Sequence, residues 1–166
     1  TISLARLIQY KKQIKFKKME KIEFVKFKSE ILKRAKESNA WSGEYKKTYT
    51  TESFSDLFKA ISDNFYWCCK NKVIDCKLLT DLGLDICHEN NFWVNESSGN
   101  GFLIVDSATV RASGSATVRA SDSATVRASG SAYINSYSSI EHKISDRAIL
   151  RYYYDNKIIF GENIKH

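Results

Sequence analysis

Apolar side chains recur with two different periods along this chain, and the period changes across a polar, flexible stretch at residues 95–100. Upstream the steps are three and four residues. Phe24, Phe27, Ile31, Leu32 and Ala35 share one face of a helix predicted to end near Ser38. Trp41 to Tyr49 shows no such stripe and reads as a loop, with Gly43 allowing a turn and Glu44-Tyr45-Lys46-Lys47 exposed to solvent. Ser53-Phe-Ser-Asp56 carries a capping signal, in which a serine oxygen satisfies free backbone N–H groups at a helix start. The following helix sets Phe54, Leu57, Phe58, Ile61, Phe65 and Cys68 or Cys69 on one side. A third, shorter helix is predicted from Asp75 through Leu78, Leu79 and Leu82 to Gly83, a natural terminator. Phe92, Trp93 and Val94 then tuck against these helices or begin a sheet.

Downstream the period is two. Asp106-Ser-Ala-Thr-Val-Arg-Ala-Ser is followed by the same eight residues led by Gly114 and again by Asp122, with Gly130-Ser-Ala opening a further unit. Ala108, Val110 and Ala112 point one way, and Ser107, Thr109, Arg111 and Ser113 the other, which is the alternation of a strand with one dry face. Gly and Asp fall where the chain must turn. Counting on in eights places Ile134, then Ile140, His142 and Ile144, then Ala148, Leu150 and Tyr152, then Ile158 and Phe160 on the inward side; counting back adds Phe102 and Ile104. Small residues thus occupy the middle of the array and larger ones its ends, as a stack of repeats needs.

The expected fold class is α+β: a small N-terminal helical region followed by a short two-sided β-solenoid of eight-residue repeats. Two octads make one flattened coil of sixteen residues, and four coils stack at ~4.8 Å. The alternative is an antiparallel β-meander covered by the helices. A solenoid places residues sixteen apart in columns, so Arg111, Arg127 and Lys143 form one, and Arg119, Asn135 and Arg151 another. The five cations in these columns are the candidate contacts for nucleic acid or another anion; on an outward strand face, arginine also serves solubility alone.

Charge changes the picture by where it sits. The net charge is +7, but residues 1–52 carry 14 Lys+Arg against 6 Asp+Glu, and the rest of the chain is close to neutral. Residues 1–18 contribute six cations and no acid, and the only methionine is Met19. The hypothesis is that residues 1–18 are a basic leader, foreign to a natural chain starting at Met19; an intact mass of the natural protein that includes them overturns it. The expected organisation is therefore this leader at 1–18, a helical region at 19–95 and the repeat solenoid at 96–166. No run of 18 apolar residues predicts a membrane span, and the start lacks the charge-then-apolar order of a secretory signal, so the expected location is the cytoplasm.

Catalytic or metal chemistry finds little support. Cys68, Cys69, Cys76 and Cys87 form no Cys-x-x-Cys pair and read as reduced core thiols rather than metal ligands. The histidines are His88, His142 and His166, with His142 on an inward place. No phosphate-binding glycine loop, nucleophile elbow or catalytic carboxylate pair is present, so neither an enzyme nor a cofactor is expected. The units Ser-Ala-Thr-Val-Arg-Ala-Ser-Gly and Ser-Ala-Thr-Val-Arg-Ala-Ser-Asp, with the preceding Asp63-Asn-Phe-Tyr-Trp-Cys-Cys-Lys-Asn-Lys-Val-Ile, resemble octapeptide-repeat proteins of gut anaerobic bacteria and their mobile elements. That resemblance implies a β-solenoid and no activity; it also implies an aromatic where this chain has Ser113, Ser121 and Ser129. The expected function is a structural or protein-interaction module with a protein partner or self-association. A nucleic-acid-associated protein using residues 1–36 and the arginine columns is the alternative.

Overall fold

The structure, a computed structural model, describes residues 3–40 and 42–162; Thr1, Ile2, Trp41 and His166, on which the sequence reading drew, lie outside the described residues. Leu4–Glu37 forms α1, 34 residues long, begun by Ser3, whose Oγ accepts the Arg6 N–H. Its last third buries Phe27, Ile31 and Ala35, the face expected from their spacing. The loop expected over 41–49 is instead helical: Ser42–Tyr49 forms α2. Its C-terminal end is held by Lys28 of α1, whose Nζ donates to Tyr49 O and Thr51 O at 2.6 Å each. A cation there meets both the free carbonyls and the negative end of the helix.

One helix is expected after Ser53; the structure has two, α3 (Phe54–Asp63) and α4 (Phe65–Lys70), parted at Asn64, whose φ of −125° leaves helical geometry. The Ser53 cap is in place, with Oγ accepting the Asp56 N–H at 3.1 Å. Asp75 likewise caps α5 (Cys76–Leu82) by accepting the Leu78 N–H, and Gly83, at φ +120°, ends it. A further short helix, α6 (Leu84–Glu89), follows directly.

The remainder is a β-solenoid. Sheet A contains, in spatial order, β1 (Phe92–Val94), β2 (Phe102–Val105), β4 (Thr117–Ala120), β6 (Tyr133–Ser136), β8 (Ile149–Tyr152) and β9 (Lys157–Phe160). Sheet B contains β3 (Thr109–Ala112), β5 (Thr125–Ala128) and β7 (Glu141–Ile144). From β2 to β8 successive strands alternate between the sheets, and pairing is parallel throughout except between β8 and β9. The sixteen-residue coil is therefore as expected, and the antiparallel meander is not formed. The stack has about three coils rather than four, because the chain after β8 doubles back instead of winding on.

Between the sheets, Val110, Val118, Val126, Ile134 and Leu150 interleave with alanines in a closed core. At the Gly114 and Gly130 corner, successive coils touch. A Cβ on Gly130 would lie 2.8 Å from Gly114 N, and φ is +63° there. One coil further, Asp146 takes the glycine place and its carboxylate accepts the Gly130 N–H at 3.0 Å.

The inward assignment fails at both ends of the array, for two different reasons. Leu103 pairs with Val118, fifteen residues on, whereas Val118 pairs with Ile134, sixteen on. The step from Leu103 to Val110 is seven residues instead of eight, so counting back in octads lands one residue off, and a one-residue slip exchanges the faces of a strand. Leu103 and Val105 therefore face the solenoid core, while Phe102 and Ile104 face outward, into the helices. With Phe92 and Val94 beside them, they join Phe58, Phe65 and Leu79 in a second core that seats the helical head on sheet A. At the other end, antiparallel pairing turns Ile159 inward and leaves Ile158 and Phe160 exposed. His142 keeps its place opposite Val126, but it is exposed, because β7 ends sheet B and no strand covers it.

Candidate functional site

Sixteen-residue winding brings the first candidate column together. Arg111, Arg127 and Lys143 are direct neighbours across β3, β5 and β7, on the exposed outer face of sheet B. Thr109, Thr125 and Glu141 run beside them in register. At strand spacing, two of these cations repel by about 1 kcal/mol in water. Among the described residues none of the three is in an ion pair, so the column is a ladder of free positive charge along the solenoid axis.

The second column is also in register but lies elsewhere. Arg119, Asn135 and Arg151 stand on the outer face of sheet A, where α4 packs. The Arg119 guanidinium lies 5.1 Å from the Tyr137 ring, and that of Arg151 lies 5.8 Å from the Tyr153 ring. Arg151 also donates to Asn156 Oδ1 at 3.1 Å. Asn135 is buried, and the Nε atoms of both arginines are shut away from solvent. Tyr137 and Tyr153 stack at 5.1 Å, Lys70 of α4 donates to Tyr153 Oη at 2.7 Å, and Tyr137 Oη donates to Tyr66 O. The two arginines thus hold solenoid tyrosines by cation–π contact, and those tyrosines, with Lys70 4.8 Å from the Tyr153 ring, fasten head to solenoid. Tyr137 and Tyr153 carry it, and the octad count held their signal: they stand eight and twenty-four residues after Ser129, on the place where the resemblance gives an aromatic.

The N-terminal part of α1 supplies a third surface. Every described residue from Ser3 to Glu23 is exposed, about 30 Å of helix, of which Lys17, Glu20 and Lys21 border a cleft shared with Phe54 and Ile86 of the head. This stretch carries Arg6, Lys11, Lys12, Lys15, Lys17, Lys18 and Lys21 against Glu20 and Glu23. Large apolar side chains are mixed in, with Leu4 74% and Phe16 68% exposed.

The four cysteines are free and buried, and burial pushes the Cys68, Cys76 and Cys87 thiols up to about 12 and that of Cys69 upward too. His88 Nε2 lies 2.5 Å from Glu96 Oε2 and its ring stacks on Trp93. His142 Nδ1 lies 3.0 Å from Tyr152 Oη. A cleft of 430 Å³ among α1, α2, α3 and α4 is floored by Ile31, Ala35, Ile61 and Val73, with no charged side chain in its lining. No group of three His, Cys, Asp or Glu able to hold a metal ion occurs among the described residues, and no described helix is long and apolar enough to cross a membrane. Compared with known proteins, the chain matches no family model, no curated protein and no solved structure.

Proposed function

We propose that the chain is a non-enzymatic interaction module, in which a rigid solenoid and its helical head present the N-terminal arm of α1 to a protein partner. The observation that carries this reading is the arm itself, and the reading takes residues 1–18 as part of the natural chain rather than as the foreign leader expected from sequence. A helix whose large apolar side chains no part of the body covers is a surface that a partner completes. The engagement of His88 and His142 and the burial of all four thiols support a role without a catalytic step. Free thiols also support a reducing compartment, the cytoplasm. Kinship with octapeptide-repeat proteins belongs to the same reading, supported by tyrosines at places 137 and 153. The test is a photo-crosslinking amino acid at Phe16 in the native cell. One defined polypeptide should be captured, and Leu7→Asp with Ile14→Asp should abolish its capture. Recovery of only abundant bystanders, unchanged by those substitutions, would sink the reading.

A second reading, nucleic-acid association, is favoured by the free ladder of Arg111, Arg127 and Lys143 together with the cations of the arm. Phosphate contacts release counterions, so binding of a labelled duplex should weaken steeply between about 50 and 200 mM salt. Arg111→Ala with Arg127→Ala should flatten that salt dependence. Anisotropy that stays flat at the lower salt rejects this reading and leaves the protein partner.

A further inference from the structure

We propose that β9 is a self-association edge, on which a second copy of this chain adds its own β9, antiparallel, about a two-fold axis at Ile159. The argument begins with how the sheet edges are finished. At the lower end, β1 lies against α5 and α6. The lower edge of sheet B is closed by the loop before β2, where Ser98 bridges to Ala112 and Ser97 Oγ accepts the Arg111 N–H. At the upper end, β7 is blunted by Glu141, His142 and Lys143, all exposed. Covering and charge are the ordinary ways of keeping a strand edge from pairing. Among the described edges β9 is the least guarded: no element covers it, its one charge, Lys157, stands at its start, and the rest is Ile158, Ile159 and Phe160, with Ile158 48% and Phe160 66% exposed.

The backbone of β9 is free in the matching places. Gly161 N–H donates to Ala148 O at 2.9 Å, in register with the β8–β9 ladder. Antiparallel bonding alternates along a strand, so Ile159 and Lys157 also bond β8, and the N–H and C=O groups of Ile158 and Phe160 point away from it. A second β9 set antiparallel with Ile159 opposite Ile159 brings Ile158 of each copy against Phe160 of the other. Both residues are then in hydrogen-bonded places, giving four backbone bonds. The same register packs two Ile–Phe pairs side by side on the outer face, closing the apolar strip that each copy leaves open. The sequence of the edge is thus complementary to itself, as an isologous contact requires.

The test is sedimentation velocity of the full chain from micromolar to millimolar concentration. A dimer is expected, growing with concentration. Ile158→Lys with Phe160→Lys sets like charges opposite each other and should raise its dissociation constant at least tenfold. Ile158→Lys with Phe160→Glu sets opposite charges in the same places and should restore a dimer that salt weakens. All these side chains are exposed, and circular dichroism checks that each variant is folded. Phe160→Pro, which removes an outward N–H, gives a second route to the same loss. A monomer at every concentration, a dimer indifferent to the paired lysines, or a Lys–Glu pair that restores nothing would overturn the proposal.

Discussion

Two residues show how much of this fold rests on single positions. Gly130 sits at positive φ with Gly114 of the preceding coil against its α-carbon, so a methyl group meets both a backbone penalty and a steric one. Gly130→Ala should lower unfolding free energy by about 1–3 kcal/mol, read from urea denaturation. Glu30 belongs to a chain of ion pairs in which Arg34 Nε donates to it at 2.7 Å and Arg34 Nη1 donates to Asp75 at 2.8 Å, tying α1 to the start of α5. The hydrogen bond from Arg34 holds the Glu30 carboxyl below its ordinary value of 4.5. A carboxyl depressed in this way stabilises the fold above its unfolded pKa, and that contribution disappears as pH falls through the folded one. Urea midpoints should therefore drop below about pH 4.5 more steeply in the parent than in Glu30→Gln.

At the scale of elements, the decisive feature is the residue missing between Val105 and Thr109. Inserting one serine after Ser107 lengthens the Leu103-to-Val110 step from seven residues to the regular eight, so Leu103 and Val105 keep their inward places and Phe102 and Ile104 stay on the helices. The cooperative thermal transition should therefore survive, within about 1 kcal/mol of the parent. Its loss would show that the short turn itself is required. The same feature marks where the sequence was legible. Inside the octads, alternation between alanine or valine and threonine or arginine declares each strand's face, and the coil length follows. Phe102, Leu103, Ile104 and Val105 are all apolar, as are Ile158, Ile159 and Phe160, so no alternation betrays which way they point. α2 was illegible for another reason: its cap, Lys28, arrives from a different helix. Column membership could be counted in sixteens, but which column stays open depends on where α4 lands, and no local pattern encodes that docking.

The whole molecule is a stack with a head seated on one side of its base. Contacts between coils reach only the neighbouring coil, so stability adds up locally along the axis. Deleting residues 113–128 removes one complete coil and leaves every remaining side chain on its own face. That variant should melt cooperatively at a lower temperature with the parent's helical signal by circular dichroism. Deleting residues 113–120 removes half a coil and exchanges the two sheets beyond it. Tyr133 then turns away from Tyr66, and Tyr137 and Tyr153 leave Lys70, so the head should lose its seat. Size and helicity measurements on the two deletions separate these outcomes.

Alternation of the octads between two sheets has a consequence for inheritance. Near-identical tandem units invite unequal exchange, which lengthens or shortens a gene by whole units. Here one unit is only half a coil, so an odd number of gained or lost units scrambles the head's seat, whereas an even number changes only height. Selection acting on this chain would therefore see its length as a ladder with every second rung missing.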